Sequence, residues 1–252
     1  MKTLPLEDTP GDIVGKALRS HGLYERDIPA APAERRFFFR ERLNLNPEAL
    51  DGLGAYHPEV HLPPGLSQYS FPFYDSGVNV WSLTFPEGIV YIDTGYTPAQ
   101  MKSILESHPG ERILAVLLTH GHHDHTGGLP SLPKGTPLIS RSTLPDFMTN
   151  YQTIRTGPYD WTAWVLSGHT KDSLGYSIAC GPHTFLFTGD ALFAGSMGGL
   201  GTPALYRPAM SYLNQVLDSL PENTLILPGH GPATTIALEK RHNPFLSSSQ
   251  AH

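Results

Sequence analysis

The chain has 252 residues, 39% of them hydrophobic and 16% charged, with a formal net charge of -6. That length supports one large domain, or one domain with an extension, and the acidic balance without a polybasic run excludes a nucleic-acid partner. The single cysteine, Cys180, excludes an intrachain disulfide framework. No apolar run is long enough for a bilayer and the start MKTLPLEDTPGD has no apolar signal core, so a cytoplasmic protein without a membrane partner is expected.

Residues 1–65 read as an amino-terminal extension, rich in proline and charge and partly helical, ahead of a main domain at 66–252. Weak helical patterns run near Ile13 to Leu23 and Ala33 to Leu43. The run Arg35-Arg36-Phe37-Phe38-Phe39-Arg40 reads as an amphipathic segment that docks its phenylalanines on the main body. A homodimer contact or a lid are its other readings. His21, His57, His61 and His252 have no ligand-like context and are expected in solvent.

From Leu66 the texture changes to strands. Tyr69 to Tyr74, Val78 to Thr84 and Ile89 to Ile92 alternate or run apolar, with turns at Gly77 and Pro86-Glu87-Gly88. A helix follows, with Thr97 as N-cap, Pro98 in the first turn and Gln100 completing a capping box; Gly110 closes it. Ile113 to Leu118 is a buried strand and Thr136 to Ser140 a short one. Residues 141–160 read as loop with one helical turn. Trp161 to Leu166 is a strand, and Leu174 to Ala179 pairs with Thr184 to Phe187 across Gly181-Pro182. Residues 194–203 read as a mobile glycine-rich loop, Ala209 to Leu220 as a helix and Leu225 to Leu227 as the last strand. Trp81, Trp161 and Trp164 are expected in the core.

The chemistry concentrates in THGHHDHTGG, residues 119–128. His120, His122, Asp124 and His125 are ligand-type side chains at the end of an apolar strand, with His123 among them. Imidazole and carboxylate together suit zinc, iron or manganese. Crowding them without a cation costs desolvation and mutual repulsion. Three more strands end in a ligand-type residue beside glycine, at His169, Asp190 and His230. Asp93 is a fifth such end. It either orients a ligand histidine or caps a turn.

These motifs, in the order IDTG, THGHHDHTGG, SGHTKDSLGY, FTGDALF and LPGHG, resemble the metallo-β-lactamase superfamily from about Leu66 to Phe245. Within it the wording of FTGDALFAGSMG and LPGHGPATTIALEKRHNPFL is similar to the short glyoxalase II-like hydrolases. The resemblance implies an α/β fold of α+β character, a four-layered αβ/βα sandwich with metals at one edge of two sheets. It implies two divalent cations, zinc first, with iron or manganese as alternatives. His120, His122 and His169 would hold one, Asp124, His125 and His230 the other, and Asp190 would bridge them with a water or hydroxide. His122 in place of glutamate points away from the flavodiiron branch. Persulfide dioxygenases carry Gly-Arg-Thr-Asp-Phe and His-Asp-Tyr where this chain has Met197-Gly198-Gly199-Leu200-Gly201 and Gly229-His230-Gly231, which favours two metals. The stretch after His230 is too short for the helical domain that binds glutathione in glyoxalase II.

The implied enzyme is a metal-dependent hydrolase in which a hydroxide, aimed by Asp124, attacks a carbonyl. A thiolate leaves without help, since its conjugate acid has a pKa of roughly 8.5. An amine or alkoxide needs a proton. Tyr176 and Tyr206 are donors only if the fold brings them close, so a small acyl thioester is the least demanding substrate. Lactones and β-lactams are the runner-up class. A mononuclear-iron persulfide dioxygenase and a non-catalytic metal-binding protein are the others. Lys171 and Asp172 either shape the pocket or form a solvated turn.

Overall fold

The structure, a computed structural model, describes residues 12–73, 76–144, 150–200 and 202–246. The amino-terminal stretch to Gly11, Tyr74, Gly201 of the glycine-rich segment and His252 lie outside the described residues. Two sheets form its centre. The first has the order β1 (Leu66–Phe73), β2 (Ser76–Phe85), β3 (Gly88–Ile92), β4 (Ile113–Leu117), β5 (Leu138–Ile139). The second runs β11 (Thr234–Thr235), β10 (Leu225–Pro228), β9 (His183–Gly189), β8 (Leu174–Cys180), β7 (Tyr159–Val165), β6 (Tyr151–Thr156).

Alternation along the strands builds the layers. In β3, Val90 and Ile92 face the second sheet, together with Trp81 and Leu83 of β2 and Phe185 and Phe187 of β9. Ile89 and Tyr91 point the other way, onto Met101 and Ile104 of α4 (Pro98–Glu106). The second sheet repeats the rule. Leu186 and Ile226 turn outward onto α6 (Tyr206–Ser219), whose Met210, Leu213 and Val216 recur at helical spacing. The result is helix, sheet, sheet, helix: the expected four-layered αβ/βα sandwich.

The amino-terminal segment joins the outer core. Ile13, Ala17 and Leu18 of α1 (Ile13–Ser20), and Leu43 at the end of α2 (Pro32–Leu43), pack with the α6 residues. Phe38 and Phe39 dock on that cluster, whereas Phe37 is 67% exposed. Three short helices escaped the sequence reading, α3 (Pro47–Gly52), α5 (His123–Thr126) and α7 (Ile236–His242). All are too brief to establish a 3.6-residue period.

Three expectations need correction. Residues 151–160 are not loop: β6 pairs with β7 from Tyr151↔Trp164 to Thr156↔Tyr159. Its exposed polar face, with only Ile154 and Thr156 buried, hid the alternation of an edge strand. The glycine-rich segment is no free loop, since Gly195 to Leu200 are buried. The helix after Thr97 has the expected capping box but ends at Glu106, four residues before Gly110. Among the described residues, no helix is long and apolar enough to cross a membrane.

Gly88 shows how tightly the first sheet is wound. Its φ is 142°, and a Cβ there would sit 2.1 Å from the Arg112 carbonyl oxygen, which accepts from Ile89 N where β3 meets β4. Gly88→Ala is expected to lower unfolding stability by about 2–3 kcal/mol, through backbone strain and a displaced carbonyl. A urea midpoint equal to the parent's would contradict this.

Candidate metal centre

Parallel pairing brings the strand ends together. β3 runs parallel to β4, and β9 parallel to β10, so Asp93, the His120 segment, Asp190 and His230 leave their sheets on one side. β7 reaches β9 through two antiparallel pairings and points the same way, delivering His169. The sheets are clasped at this edge. Asn79 of β2, fully buried, donates through Nδ2 to Pro228 O at 3.0 Å and Gly231 O at 2.8 Å, and Trp81 Nε1 donates to Pro228 O at 2.9 Å. Gly229 must be glycine here: a Cβ would lie 2.3 Å from Asp190 Oδ1 and 2.7 Å from His125 Cε1.

Four imidazoles, those of His120, His125, His169 and His230, are each oriented by a protein acceptor. His169 Nδ1 lies 2.7 Å from Gly199 O and His230 Nδ1 2.9 Å from Gly77 O. A carbonyl only accepts, so both Nδ1 atoms carry hydrogen and both Nε2 atoms turn inward. His125 Nδ1 lies 2.7 Å from Asp93 Oδ2 and donates to that carboxylate. Thr119 Oγ1 donates to the same Oδ2 at 2.8 Å, leaving its lone pair for His120 Nδ1 at 3.1 Å. Asp93 Oδ1 takes the Thr119 backbone N–H at 2.8 Å. One buried carboxylate thus sets two histidines, and its φ of 62° is a left-handed conformation that aspartate tolerates.

The inward atoms converge. Three ligand-type groups have their donor atoms within 4.8 Å of one another: His120, His122 and His169; Asp124, His125 and His230; and His120, His125 and Asp190. His230 Nε2 is 3.2 Å from Asp124 Oδ2 and 3.3 Å from Asp190 Oδ2, and His125 Nε2 is 3.3 Å from Asp190 Oδ1. These pairs attract but are not aligned for hydrogen bonds. Nε2 of His120, His125 and His230, Oδ2 of Asp124 and both oxygens of Asp190 are buried with no hydrogen-bond partner. His169 Nε2 and His122 Nδ1 are 3.0 Å apart. With Nδ1 of His169 donating outward, their lone pairs repel unless a proton or cation lies between. Buried polar atoms without partners are costly, and nitrogen and oxygen donors in this pattern fit divalent cations. The residues present therefore fit the metals that the sequence implied.

Electrostatics agree with that fit. Burial opposes ionisation of Asp190 and Asp124, yet His230 and His125 hold both carboxyls well below the usual carboxylate range. Burial likewise disfavours the imidazolium of His125 and His230, but Asp190 outweighs it: His125 is held well above its ordinary value and His230 at about 9. His120 goes the other way, pushed down by burial and by His125.

The other sequence candidates divide. His123 is exposed and meets Tyr96 edge-on. Asp172 lines a hollow of about 260 Å³ with Leu118, His120, Gly121, Thr126 and Arg141, while Lys171 is exposed. Tyr176 is buried and its hydroxyl donates to Leu118 O at 2.8 Å; Tyr206 lines a separate hollow with His21 and Arg207. Cys180 ends β8, its thiol pushed up by burial. Trp81, Trp161 and Trp164 are core. Thr119, Asn79 and the carbonyls of Gly77 and Gly199 escaped the sequence reading. A carbonyl leaves no trace in residue identity, and the threonine and asparagine act through partners distant in sequence.

Comparison with known proteins follows the same line. Residues 74–144 match the family model described as "Metallo-beta-lactamase superfamily". The hydroxyacylglutathione hydrolase of Salmonella dublin is 34% identical over 163 residues, 60% of this chain and 61% of its own length; the chain thus spans about three fifths of that relative. Among solved structures, BLEG-1 B3 metallo-beta-lactamase is 27% identical with a TM-score of 0.59, over 72% of this chain and 100% of its own. TTHA1623 "in a di-iron-bound form" is 29% identical with a TM-score of 0.54, over 76% of this chain and 100% of its own. Sandwich and ligand cluster agree with these likenesses: the chain has the metallo-β-lactamase fold, and residues 74–144 match the model of that superfamily.

Proposed function

We propose that this chain is a hydrolase that holds two divalent cations and cleaves a small acyl thioester. The observation that carries the proposal is the pair of donor triads joined by Asp190, where Nε2 of His120, His125 and His230, Oδ2 of Asp124 and both Asp190 oxygens are buried without a hydrogen-bond partner. His120, His122 and His169 would hold one cation, Asp124, His125 and His230 the other, and Asp190 would touch both. The di-iron form of TTHA1623 supports a pair of cations. Zinc is the first candidate, with iron and manganese as the alternatives. Such cations, when bound, supply Lewis acidity that lowers the pKa of water and draws charge from a carbonyl oxygen.

The chain's own residues would do the rest. Asp124 stays ionised and offers a carboxylate oxygen to aim the attacking water. Asp93 acts through His125, fixing its ring. The hollow beside His120 would take the acyl group. Neither tyrosine considered as a proton donor is free to serve: Tyr176 OH is committed to Leu118 O, and Tyr206 lies in another hollow. A leaving group that needs no proton fits best, and a thiolate is one. The relatives named hydroxyacylglutathione hydrolase support the same substrate class. The likeness to a B3 metallo-beta-lactamase favours a lactam or lactone as the second reading.

With zinc, iron or manganese restored, the protein is expected to hydrolyse S-lactoylglutathione faster than a lactone or β-lactam panel and to stop on chelation. His122→Ala should lower kcat/KM by at least the roughly 100-fold reached by outer-shell changes. Equal rates in parent and variant, or one iron per chain with oxygen consumption, would overturn the proposal. Asp93→Asn, which keeps the shape but weakens the acceptor for His125, should loosen cation binding about 10–100-fold in chelator competition. Metal uptake should also be proton-linked. His125 and His230 have raised pKa values, so they carry protons at neutral pH that a cation must expel. Apparent zinc affinity should fall as pH falls and rise toward pH 9. Calorimetry in buffers of different ionisation enthalpy would register the released protons, and no release at pH 7 would count against these two ligands.

A further inference from the structure

Lys16 is 1% exposed, an unusual place for an ammonium group, which is costly to take out of water. It sits on α1, far in sequence from every motif. Its Nζ donates to Met197 O at 2.8 Å, lies 3.4 Å from Ser196 Oγ, and rests 5.2 Å from the centre of the Phe193 ring. Phe193 in turn packs edge-on against His230.

The segment that Lys16 grips leads into the metal centre. Gly198 N donates to Asp190 O at 2.9 Å, and Gly199 O is the acceptor for His169 Nδ1. Other groups hold the earlier part. Glu239 of α7 accepts from Gly195 N at 2.9 Å, and Asn243 Nδ2 donates to Ser196 O at 2.9 Å. Tyr56, also from the amino-terminal segment, donates to Glu239 and lies with Leu53 against Gly195. α7 thus fixes residues 193–196, and Lys16 fixes the next peptide, one step from the two glycines that touch Asp190 and His169.

We infer that Lys16 is a positioning residue of the metal centre: by holding Met197 O and Ser196 it fixes the Gly199 carbonyl, and through that carbonyl the ring of His169. The amino-terminal segment is then part of the site's framework, supplying a cation where the neighbouring chain is mostly glycine. The hold on His169 stands on geometry alone, and only its effect on a bound cation rests on the metal reading above.

The test compares full-length parent, Lys16→Met and Leu18→Ala, the last removing packing from the same helix while leaving the Lys16 hydrogen bond to Met197 O in place. In the metal-free proteins near pH 8, long-range 1H–15N spectra read the His169 tautomer. The parent should show one form, protonated at Nδ1, and Lys16→Met a mixture of both. Zinc affinity by chelator competition should fall about tenfold in Lys16→Met. Leu18→Ala should lower the Tm yet keep the parent's ring signals, with affinity changed less than about twofold. Parent-like ring signals in Lys16→Met, or a Leu18→Ala protein that behaves like it, would overturn the inference. If Lys16→Met does not fold, Lys16→Gln is judged by the same two signals. A parent that takes up no cation would remove the metal reading, and the ring signals would still decide for or against Lys16.

Discussion

Everything at this site follows from one requirement: lone pairs buried at the junction of two sheets must face one another without repelling. Four imidazoles hand their outer nitrogen to a protein acceptor, so their inner nitrogen has nothing left but the centre. Two carboxylates close the cluster and stay ionised despite burial. Positive charge is what reconciles these groups. Protons on His125 and His230 supply it in the metal-free protein, and divalent cations would supply it better, because one ion satisfies several donors at once.

The sandwich meets this requirement by direction rather than by any one element. Parallel strands within each sheet place their carboxyl ends on one side, where ligand sites of α/β sheets arise. Face-to-face packing of Trp81, Val90, Phe185 and Phe187 sets the sheets together. The Asn79 and Trp81 bonds to Pro228 O then tie them at the working edge. Hydrophobic burial thus gives the gross approach, and a few buried hydrogen bonds give the register between sheets.

Much of this was legible in the sequence. Apolar runs with glycine at their ends located the strands, and ligand-type residues at those ends located the site, because both signals are local. What escaped was non-local or weakly patterned. β6 alternates only faintly, since an edge strand with one buried residue in two or three looks like loop. The segment from Gly195 to Leu200 looked mobile because glycine suggests freedom; its backbone is instead held from both sides, by Lys16 and by Glu239 and Asn243. Nothing in the sequence marks Lys16, and no composition rule reveals that a helix will bury it. Asp93 was legible as a carboxylate at a strand end, but its division between Thr119 and His125 required coordinates.

The acceptors that aim the rings differ in kind, and this bears on how freely such a protein can drift in evolution. Gly77 and Gly199 serve His230 and His169 through main-chain oxygens, which no point mutation can delete. Those two rings therefore depend on how the backbone is held, at His169 by Lys16, and less on the identity of the aiming residue. His125 and His120 depend on a side-chain carboxylate, directly or through Thr119, so a single codon change at Asp93 would disorient both. Variation among descendants of this sequence should accordingly be penalised at Asp93 itself on the first-sheet side, and on the second-sheet side at the groups that hold the backbone, Lys16, Gly198 and Gly229.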